Sequence, residues 1–192
     1  MNIIRNLFCN KCKYINEALT MVDNGNKERN LLHEKINHLS NLCLIQKIDL
    51  ISEQIIYIEE RTESNDYILV TVQTVTNHRG LISNVNFYCY TLAQGMCTPE
   101  KVMRMFTDLI YSQDYSAVEK IEIVDILGKP NMGYGSKTMN VFFDYIKQFH
   151  AKEIFGVLSF VDEIDLSNKN RRNHFYRKYG FEINNNHILK KL

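Results

Sequence analysis

The strongest constraint on the fold lies in residues 118–180, where strand-like apolar runs alternate with amphipathic helical patterns. "VEKIEIVDIL" (118–127) and "EIFGVLSFV" (153–161) have the composition of buried strands, and helical patterns follow them at 133–150 and 167–180. A strand, a helix and a second strand in this order form a crossover unit, whose two strands lie parallel in one sheet. The sequence therefore predicts an α/β architecture in this half of the chain.

Further strands are predicted on both sides of this unit. Three runs rich in β-branched and aromatic residues occupy 55–61, 67–75 and 84–92, and polar joints separate them. Such runs predict three antiparallel strands. Two short closing strands, at 181–183 and 187–192, flank the turn at Asn184–Asn186. We therefore expect an α/β (α+β) fold with a mixed, mostly antiparallel central sheet flanked by helices.

Two other segments are predicted to be helical. Residues 98–113 begin with Thr98, then Pro99 and Glu100, which is a typical helix start. Residues 1–46 carry apolar side chains at helical spacing and a turn cluster at 22–28. This organisation predicts a helical N-terminal extension over 1–46 and a single larger domain over 47–192.

Composition excludes several classes of protein. The 23 Lys and Arg nearly cancel the 22 Asp and Glu, so the net charge of +1 gives no electrostatic reason to expect nucleic-acid binding. No apolar run approaches the roughly 20 residues of a membrane span. The first 14 residues lack the apolar core of a secretory signal, so we expect a cytoplasmic protein without a membrane partner.

The cysteines allow two interpretations. Five scattered cysteines do not suggest a disulfide framework. Cys9 and Cys12 form one C-x-x-C pair with His33 and His38 downstream, a set that could bind zinc, although the Cys–His gap exceeds that of a zinc finger. The simpler interpretation is reduced thiols and surface histidines, and we expect no metal.

A glycine-rich turn stands between the first strand and the first helix of the crossover unit. "NMGYGSKT" (131–138) places two of the chain's eight glycines around one tyrosine. A helix N-terminus has backbone N–H groups without partners and binds anions, and glycines let the backbone approach them. The turn is neither a P-loop nor G-x-G-x-x-G, and alone it is more often structural. The N–H groups expected to converge on an anion belong to Met132, Gly133, Tyr134, Gly135 and Ser136.

Two spaced motifs resemble a known family. The turn resembles the pyrophosphate loop of the Gcn5-related N-acetyltransferase (GNAT) superfamily, R/Q-x-x-G-x-G/A, with Pro130 in place of the charged or amide residue. "NRRNHFYRKYGFEI" (170–183) resembles a later motif of the same superfamily. Its Tyr176 precedes Gly180 by four residues, as in that motif. The resemblance covers about residues 115–192.

The resemblance implies a GNAT-like acyl-CoA N-acyltransferase fold, acetyl-CoA as donor and direct attack by a primary amine. It implies that the backbone of Ile126 and Leu127 holds the pantetheine and polarises the thioester. Tyr176 would be the general acid for the thiolate, since a phenol and a thiol have pKa values close enough for proton transfer. The resemblance also implies cofactor contacts on the second predicted helix, at Asn170 or Asn168. Around the pyrophosphate it implies contacts from Asn131, Met132, Gly133, Tyr134, Gly135 and Ser136.

The general base, the acceptor and the oligomeric state stay open at this point. The candidate bases are Glu122, Asp125, Asp162, Glu163 and His174, and a water chain would also serve. The acceptor amine could belong to a small molecule or to a protein, and a homodimer is compatible with the sequence. The alternative to an enzyme is a non-catalytic acyl-CoA-binding sensor or interaction module on the same fold.

Overall fold

The computed structural model describes residues 32, 52–61, 66–92, 99–159 and 165–192. The chain divides into two compact units, 1–45 and 46–192, and every described residue except Leu32 belongs to the second. The predicted N-terminal helices and the Cys9–Cys12 pair lie outside the described residues. The predicted domain boundary after residue 46 stays a prediction.

Eight strands and two α-helices make up the described part of the second unit. The first four strands are β1 (Gln54–Arg61), β2 (Asp66–Thr76), β3 (Ile82–Leu92) and β4 (Glu100–Tyr111). They are followed by β5 (Val118–Gly128), α1 (Tyr134–Ile146) with a 3-10 turn at Lys147–Phe149, β6 (Glu153–Val157), α2 (Leu166–Lys178), β7 (Glu182–Asn184) and β8 (His187–Lys191). Within the described ranges, no helix is long and apolar enough to cross a membrane.

The eight described strands form one mixed sheet in the order β1-β2-β3-β4-β5-β6-β8-β7. All neighbours are antiparallel except β5 and β6, which α1 joins as a parallel pair. The predicted crossover unit, the three upstream antiparallel strands and the two closing strands are therefore confirmed. The predicted fold class, a mixed and mostly antiparallel sheet flanked by helices, is confirmed as well.

The helix predicted at residues 98–113 is wrong, because Glu100–Tyr111 form strand β4. Pro99 and the acidic residue after it suggested a helix start, yet the residues that follow alternate between the two faces of a sheet. Met103, Met105, Thr107 and Leu109 are buried on one face, while Arg104, Phe106 and Asp108 between them are exposed or half-buried. Because β3 and β5 pair with β4 on its two edges, sheet hydrogen bonds and burial outweigh the local helix signal.

One face of the sheet carries the hydrophobic core. Helix α1 presents Met139, Phe142 and Ile146 to this face, all of them fully buried. The ring of Phe142 meets Phe87 of β3 edge to face, with centroids 5.5 Å apart. Cross-strand partners share a face, so Met105, which pairs with Phe87, belongs to the same core.

The opposite face of the central strands is more open. Tyr88 pairs with Arg104, and Arg104 pairs with Leu127, so these side chains share that face. Tyr88 is half-buried, and Arg104 and Leu127 are exposed. By the same register, Phe106 and Asp125 lie beside them. The sheet thus has one face under α1 and one that a ligand could reach.

The parallel pairing stops near the middle of β5 and near the end of β6. Pairing between β5 and β6 runs from Lys120 opposite Glu153 to Ile123 opposite Gly156 and then stops. The register of β5 against β4 shifts at the next residue, Val124, which has no partner in β4. Such a bulge bends its strand. Beyond it, β5 follows β4 away from β6 and leaves a gap in the sheet.

Gly156 should be sensitive to substitution, because it lies where the parallel pair ends. A Cβ at this position would come within 2.6 Å of the carbonyl oxygen of Ile123 and 3.3 Å of Ile188. We expect Gly156→Ala to lower the free energy of unfolding by about 1–3 kcal/mol in urea titrations. Val157→Ala, at an exposed neighbour, should change it by less than about 1 kcal/mol. Equal effects would contradict the close approach.

The thiol of Cys89 predicts a pH dependence. It is fully buried, and burial raises its pKa from 9.0 to about 11. Between these values the unfolded chain loses a proton that the folded chain retains, so the free energy of unfolding should fall from about pH 9 to about pH 11. Over this pH range, the free energy of unfolding of the wild-type protein should fall by about 2 kcal/mol relative to that of Cys89→Ala. A constant difference in urea titrations would contradict the assignment.

Candidate functional site

A cleft of about 770 Å³ occupies the gap between β5 and β6. Its walls are the end of β5, the glycine turn with the start of α1, the end of β6 and one side of α2. The residues of β5 and the turn that line it are Ile123, Val124, Asp125, Ile126, Leu127, Gly128, Lys129, Pro130, Asn131, Gly133, Gly135 and Ser136. The remaining lining residues are Met103, Val157, Leu158, Ser159, Asn168, Arg171, Arg172, His174, Phe175, Tyr176 and Lys178.

The free edge of β5 directs backbone groups into the cleft. The N–H of Lys129 donates to the carbonyl of Val102 in β4 at 3.2 Å. Because N–H groups alternate between the two edges of a strand, those of Ile126 and Gly128 point away from β4 and into the gap. In an ordinary sheet these groups would bind the next strand. Here they face a cavity that a ligand can fill.

One of these two N–H groups already has an internal partner. The N–H of Ile126 donates to Oδ1 of Asp125, the preceding residue, at 2.8 Å. Asp125 is exposed and lines the cleft. A carboxylate therefore lies beside a donor that the resemblance assigns to the cofactor.

The two glycines of the turn have different roles. Gly133 caps α1 with φ of 78°, a left-handed conformation that favours glycine. Gly135 lies in the first turn of α1, where an added Cβ would come within 3.3 Å of the ring of Phe175 in α2. The first glycine thus allows the chain to turn into the helix, and the second allows the two helices to approach each other.

The N-terminus of α1 has features that favour a bound anion. No side chain caps it, and its first turn contains no acidic residue. The first-turn N–H groups of an α-helix have no intrahelical partner and carry partial positive charge. The ammonium of Lys178, from α2, donates to Oγ of Ser136 in this turn at 3.2 Å. A cation at this end of a helix is unfavourable on its own and becomes favourable when an anion binds between them.

Further cations line the same wall of the cleft. Arg171 and Arg172 project from α2, and Arg172 also donates to the carbonyl of Ser159 after β6 at 3.1 Å, which fixes this wall. Lys129 lies at the turn and forms an ion pair with Glu100 at 2.6 Å. Lys178, Arg171 and Arg172 were not among the site residues predicted from the sequence. Their clustering in one predicted helix was the available signal.

Tyr176 is the buried aromatic residue of α2 and lines the cleft. Its ring packs edge to face against Phe175 and Phe181, each with a centroid separation of 5.5 Å. Its carbonyl accepts hydrogen bonds from the N–H groups of Tyr179 and Phe181. Gly180 follows the helix in a left-handed conformation, with φ of 77°, which is common at helix C-termini. The aromatic packing holds the ring of Tyr176 against the cleft.

Most of the other predicted site residues meet in the cleft. Ile126, Leu127, Asn131, Gly133, Gly135 and Ser136 line it. Met132 is exposed and Tyr134 is buried in the core, and neither side chain lines the cleft. Asn170 is exposed and also lies outside it, whereas Asn168 lines it. The reason is helical periodicity: Asn168 shares a face with Tyr176, eight residues on, and Asn170 does not.

The candidate bases are distributed differently. Asp125 and His174 line the cleft, and both are exposed. Glu122 is half-buried on β5 and does not line it. Asp162 and Glu163 lie outside the described residues.

Lys178→Ala should weaken the binding of an anion at the start of α1. We expect inorganic pyrophosphate to bind about three- to tenfold more weakly to this variant, because a charge-assisted hydrogen bond is lost. Isothermal titration calorimetry would measure this at constant ionic strength. The control is Lys147→Ala. It removes an equally charged, exposed side chain that lies just beyond the C-terminal end of α1 and pairs with Asp144. Equal affinities for the two variants would contradict an anion site at Lys178.

Comparisons with known proteins concern the fold. No family model and no curated protein matches the chain. The chain is similar to Arabidopsis thaliana Naa50 in complex with the bisubstrate analogue CoA-Ac-MVNAL, with a TM-score of 0.40 and 17% identity over 55% of this chain and 72% of that one. It is also similar to the GNAT domain of S. lividans PAT, with a TM-score of 0.46 and 8% identity over 76% of this chain and 100% of that one.

The sheet itself has the architecture that the two sequence motifs implied. It is mixed and mostly antiparallel, and its one described parallel pair opens beside the glycine turn. The described sheet thus agrees with the fold that the resemblance predicted.

Proposed function

We propose that the protein transfers the acetyl group of acetyl-CoA to a primary amine of an acceptor. The observation that carries this proposal is the polarity of the cleft. One end has a bare helix N-terminus and cationic side chains, and the other has apolar side chains and backbone donors of an unpaired strand edge. A ligand that matches both ends has phosphates at one end and an extended, largely uncharged chain with carbonyl groups at the other. Acyl-CoA has this form.

The phosphate end is formed by the glycine turn and α2. The pyrophosphate would accept hydrogen bonds from the first-turn N–H groups of α1 and from the ammonium of Lys178. Pro130 offers no side-chain donor where the resembled loop has Arg or Gln. Lys178, which already reaches Ser136 at 3.2 Å, supplies a cation at this turn from a different element.

The pantetheine end is formed by β5. The N–H groups of Ile126 and Gly128 are two residues apart, about 6.6 Å along a strand. This length is comparable to the separation of the thioester carbonyl from the nearest amide carbonyl in an extended acetyl-CoA arm. Val124, Leu127 and Val157 stay 49%, 49% and 56% exposed around the cleft, although apolar, and would be covered by the arm.

The chemistry follows from this placement. The neutral amine attacks the thioester carbonyl, and the resulting oxyanion accepts the N–H of Ile126. When the intermediate collapses, the C–S bond breaks, and the hydroxyl of Tyr176 donates its proton to the departing thiolate. The nitrogen loses a proton to a carboxylate or to water. The products are the acetylated amine and CoA.

The acceptor would approach from the face of the sheet opposite α1. The face under α1 is filled by the core around Phe87 and Phe142. The other face carries half-buried Tyr88 and Phe106 and the exposed Arg104 next to the end of β5. These side chains are therefore the ones that would contact an acceptor, either a small amine or a protein.

Tyr176→Phe tests the acid. Phenylalanine preserves the packing against Phe175 and Phe181 and removes the hydroxyl, so kcat should fall about 10²-fold or more while the Kd of acetyl-CoA stays within about twofold. The release of free thiol from acetyl-CoA, with a panel of amines, measures kcat. Tyr145→Phe, whose ring packs on Phe87 away from the cleft, is the matched control and should keep wild-type turnover.

Two outcomes would contradict parts of the proposal. Unchanged turnover in Tyr176→Phe would remove Tyr176 as the acid while leaving an enzyme. Binding of acetyl-CoA without thiol release for any amine would favour the non-catalytic acyl-CoA-binding module. Failure of acetyl-CoA to bind at all would overturn both the acetyltransferase and the non-catalytic acyl-CoA-binding module.

A further inference from the structure

The contact between Asp125 and Ile126 raises a problem for any acyl-CoA in the cleft. The carboxylate accepts the N–H of Ile126 at 2.8 Å, which is a charge-assisted hydrogen bond. That N–H points into the gap between β5 and β6, so a carbonyl bound there would compete with Asp125 for one donor. An oxyanion formed at the same position would also be repelled by the carboxylate. Acyl-CoA and Asp125 therefore cannot use the N–H together.

The position of Asp125 makes this contact reversible. Asp125 is exposed, and it pairs with Phe106, so its side chain lies on the open face of the sheet. Arg104 lies two residues along β4 on that face, opposite Leu127, and is a diagonal neighbour of Asp125. Diagonal neighbours lie about 7–8 Å apart, a distance that long side chains can span. A rotation of the carboxylate out of the cleft would bring it towards a cation.

We propose that Asp125 is a positioning residue that occupies the N–H of Ile126 in the empty cleft and releases it to the thioester carbonyl of acyl-CoA. This inference rests on the proposed function and adds a determinant of ligand choice to it. Free CoA has no thioester carbonyl to take the N–H and leaves Asp125 in place. Part of the interaction with the acetyl group is therefore offset by the displaced contact. Asp125 thereby limits the preference of the cleft for acetyl-CoA over CoA.

The ratio of two affinities tests this proposal. Asp125→Ala leaves the N–H of Ile126 without its internal acceptor, so acetyl-CoA should bind more tightly relative to CoA than in the wild-type protein. We expect the ratio of Kd for CoA to Kd for acetyl-CoA to rise about three- to tenfold, as the loss of a competing hydrogen bond to a charged group predicts. Calorimetric titration of the full chain with each nucleotide gives both constants. An unchanged or smaller ratio would overturn the proposal.

Two further variants separate the hydrogen bond from the charge. Glu122→Ala removes a carboxylate from the same strand and the same face but outside the cleft. It should change both affinities alike through long-range charge and leave the ratio unchanged. Asp125→Asn retains an oxygen acceptor without the charge, so its ratio should fall between those of wild type and Asp125→Ala. A rise in Glu122→Ala equal to that in Asp125→Ala would assign the effect to charge alone and overturn the proposal.

A spectroscopic measurement tests the contact without any nucleotide. In wild-type protein the amide proton of Ile126 should resonate downfield of its position in Asp125→Ala, because it is hydrogen-bonded to a carboxylate. Acetyl-CoA should shift this resonance in both proteins, and CoA should leave it largely unchanged. An identical amide shift in the two free proteins would overturn the internal contact itself.

The failures are distinguishable. Wild-type protein that binds neither nucleotide would overturn the proposed function, and this inference with it. Wild-type protein that binds both, with the same ratio in Asp125→Ala, would overturn only the role of Asp125.

Discussion

The site depends on a single interruption of sheet pairing. β5 and β6 are paired only as far as Ile123 and Gly156, and beyond the bulge at Val124 β5 continues beside β4 alone. A continuous parallel pair would satisfy the backbone of Ile126 and Gly128 internally and leave no room for a ligand. Gly156 keeps the pair close up to this point, since a Cβ there would meet the carbonyl of Ile123 at 2.6 Å. The cleft is therefore a consequence of where the ladder stops.

The second requirement is the close approach of α1 and α2. Gly135 leaves space for Phe175, and Tyr179 donates to the carbonyl of Ser136 at 3.0 Å, so α2 is fixed against the first turn of α1. This packing places Lys178 at the positive end of α1, an arrangement that favours a bound anion. The proposed phosphate end of the cleft is thus assembled from two helices, although only one of them carries the glycine turn.

Parts of the fold and site could be predicted because their signals are local. The crossover unit follows from period and order alone, and the glycine before α1, Gly133, and the glycine after α2, Gly180, adopt left-handed conformations. The segment 98–113 was predicted wrongly. Pro99 is typical of a helix start, but pairing with β3 and β5 on both edges stabilises a strand. The spacing of the motif left Asn168 and Asn170 as alternatives. Asn168 lines the cleft because it shares a helix face with Tyr176.

The sequence by itself determined the order of strands and helices in residues 118–180, the glycine turn and its distance from Tyr176. These depend on periodicity and on residues with special backbone freedom, which act within a few positions of the chain. Only the tertiary structure decided that β5 separates from β6, that Lys178 reaches the turn, and that Asp125 accepts the N–H of Ile126. The separation of β5 from β6 and the contact of Lys178 with the turn each involve segments that are distant in sequence. The hydrogen bond between Asp125 and Ile126 requires an unpaired strand edge, which no local sequence pattern shows.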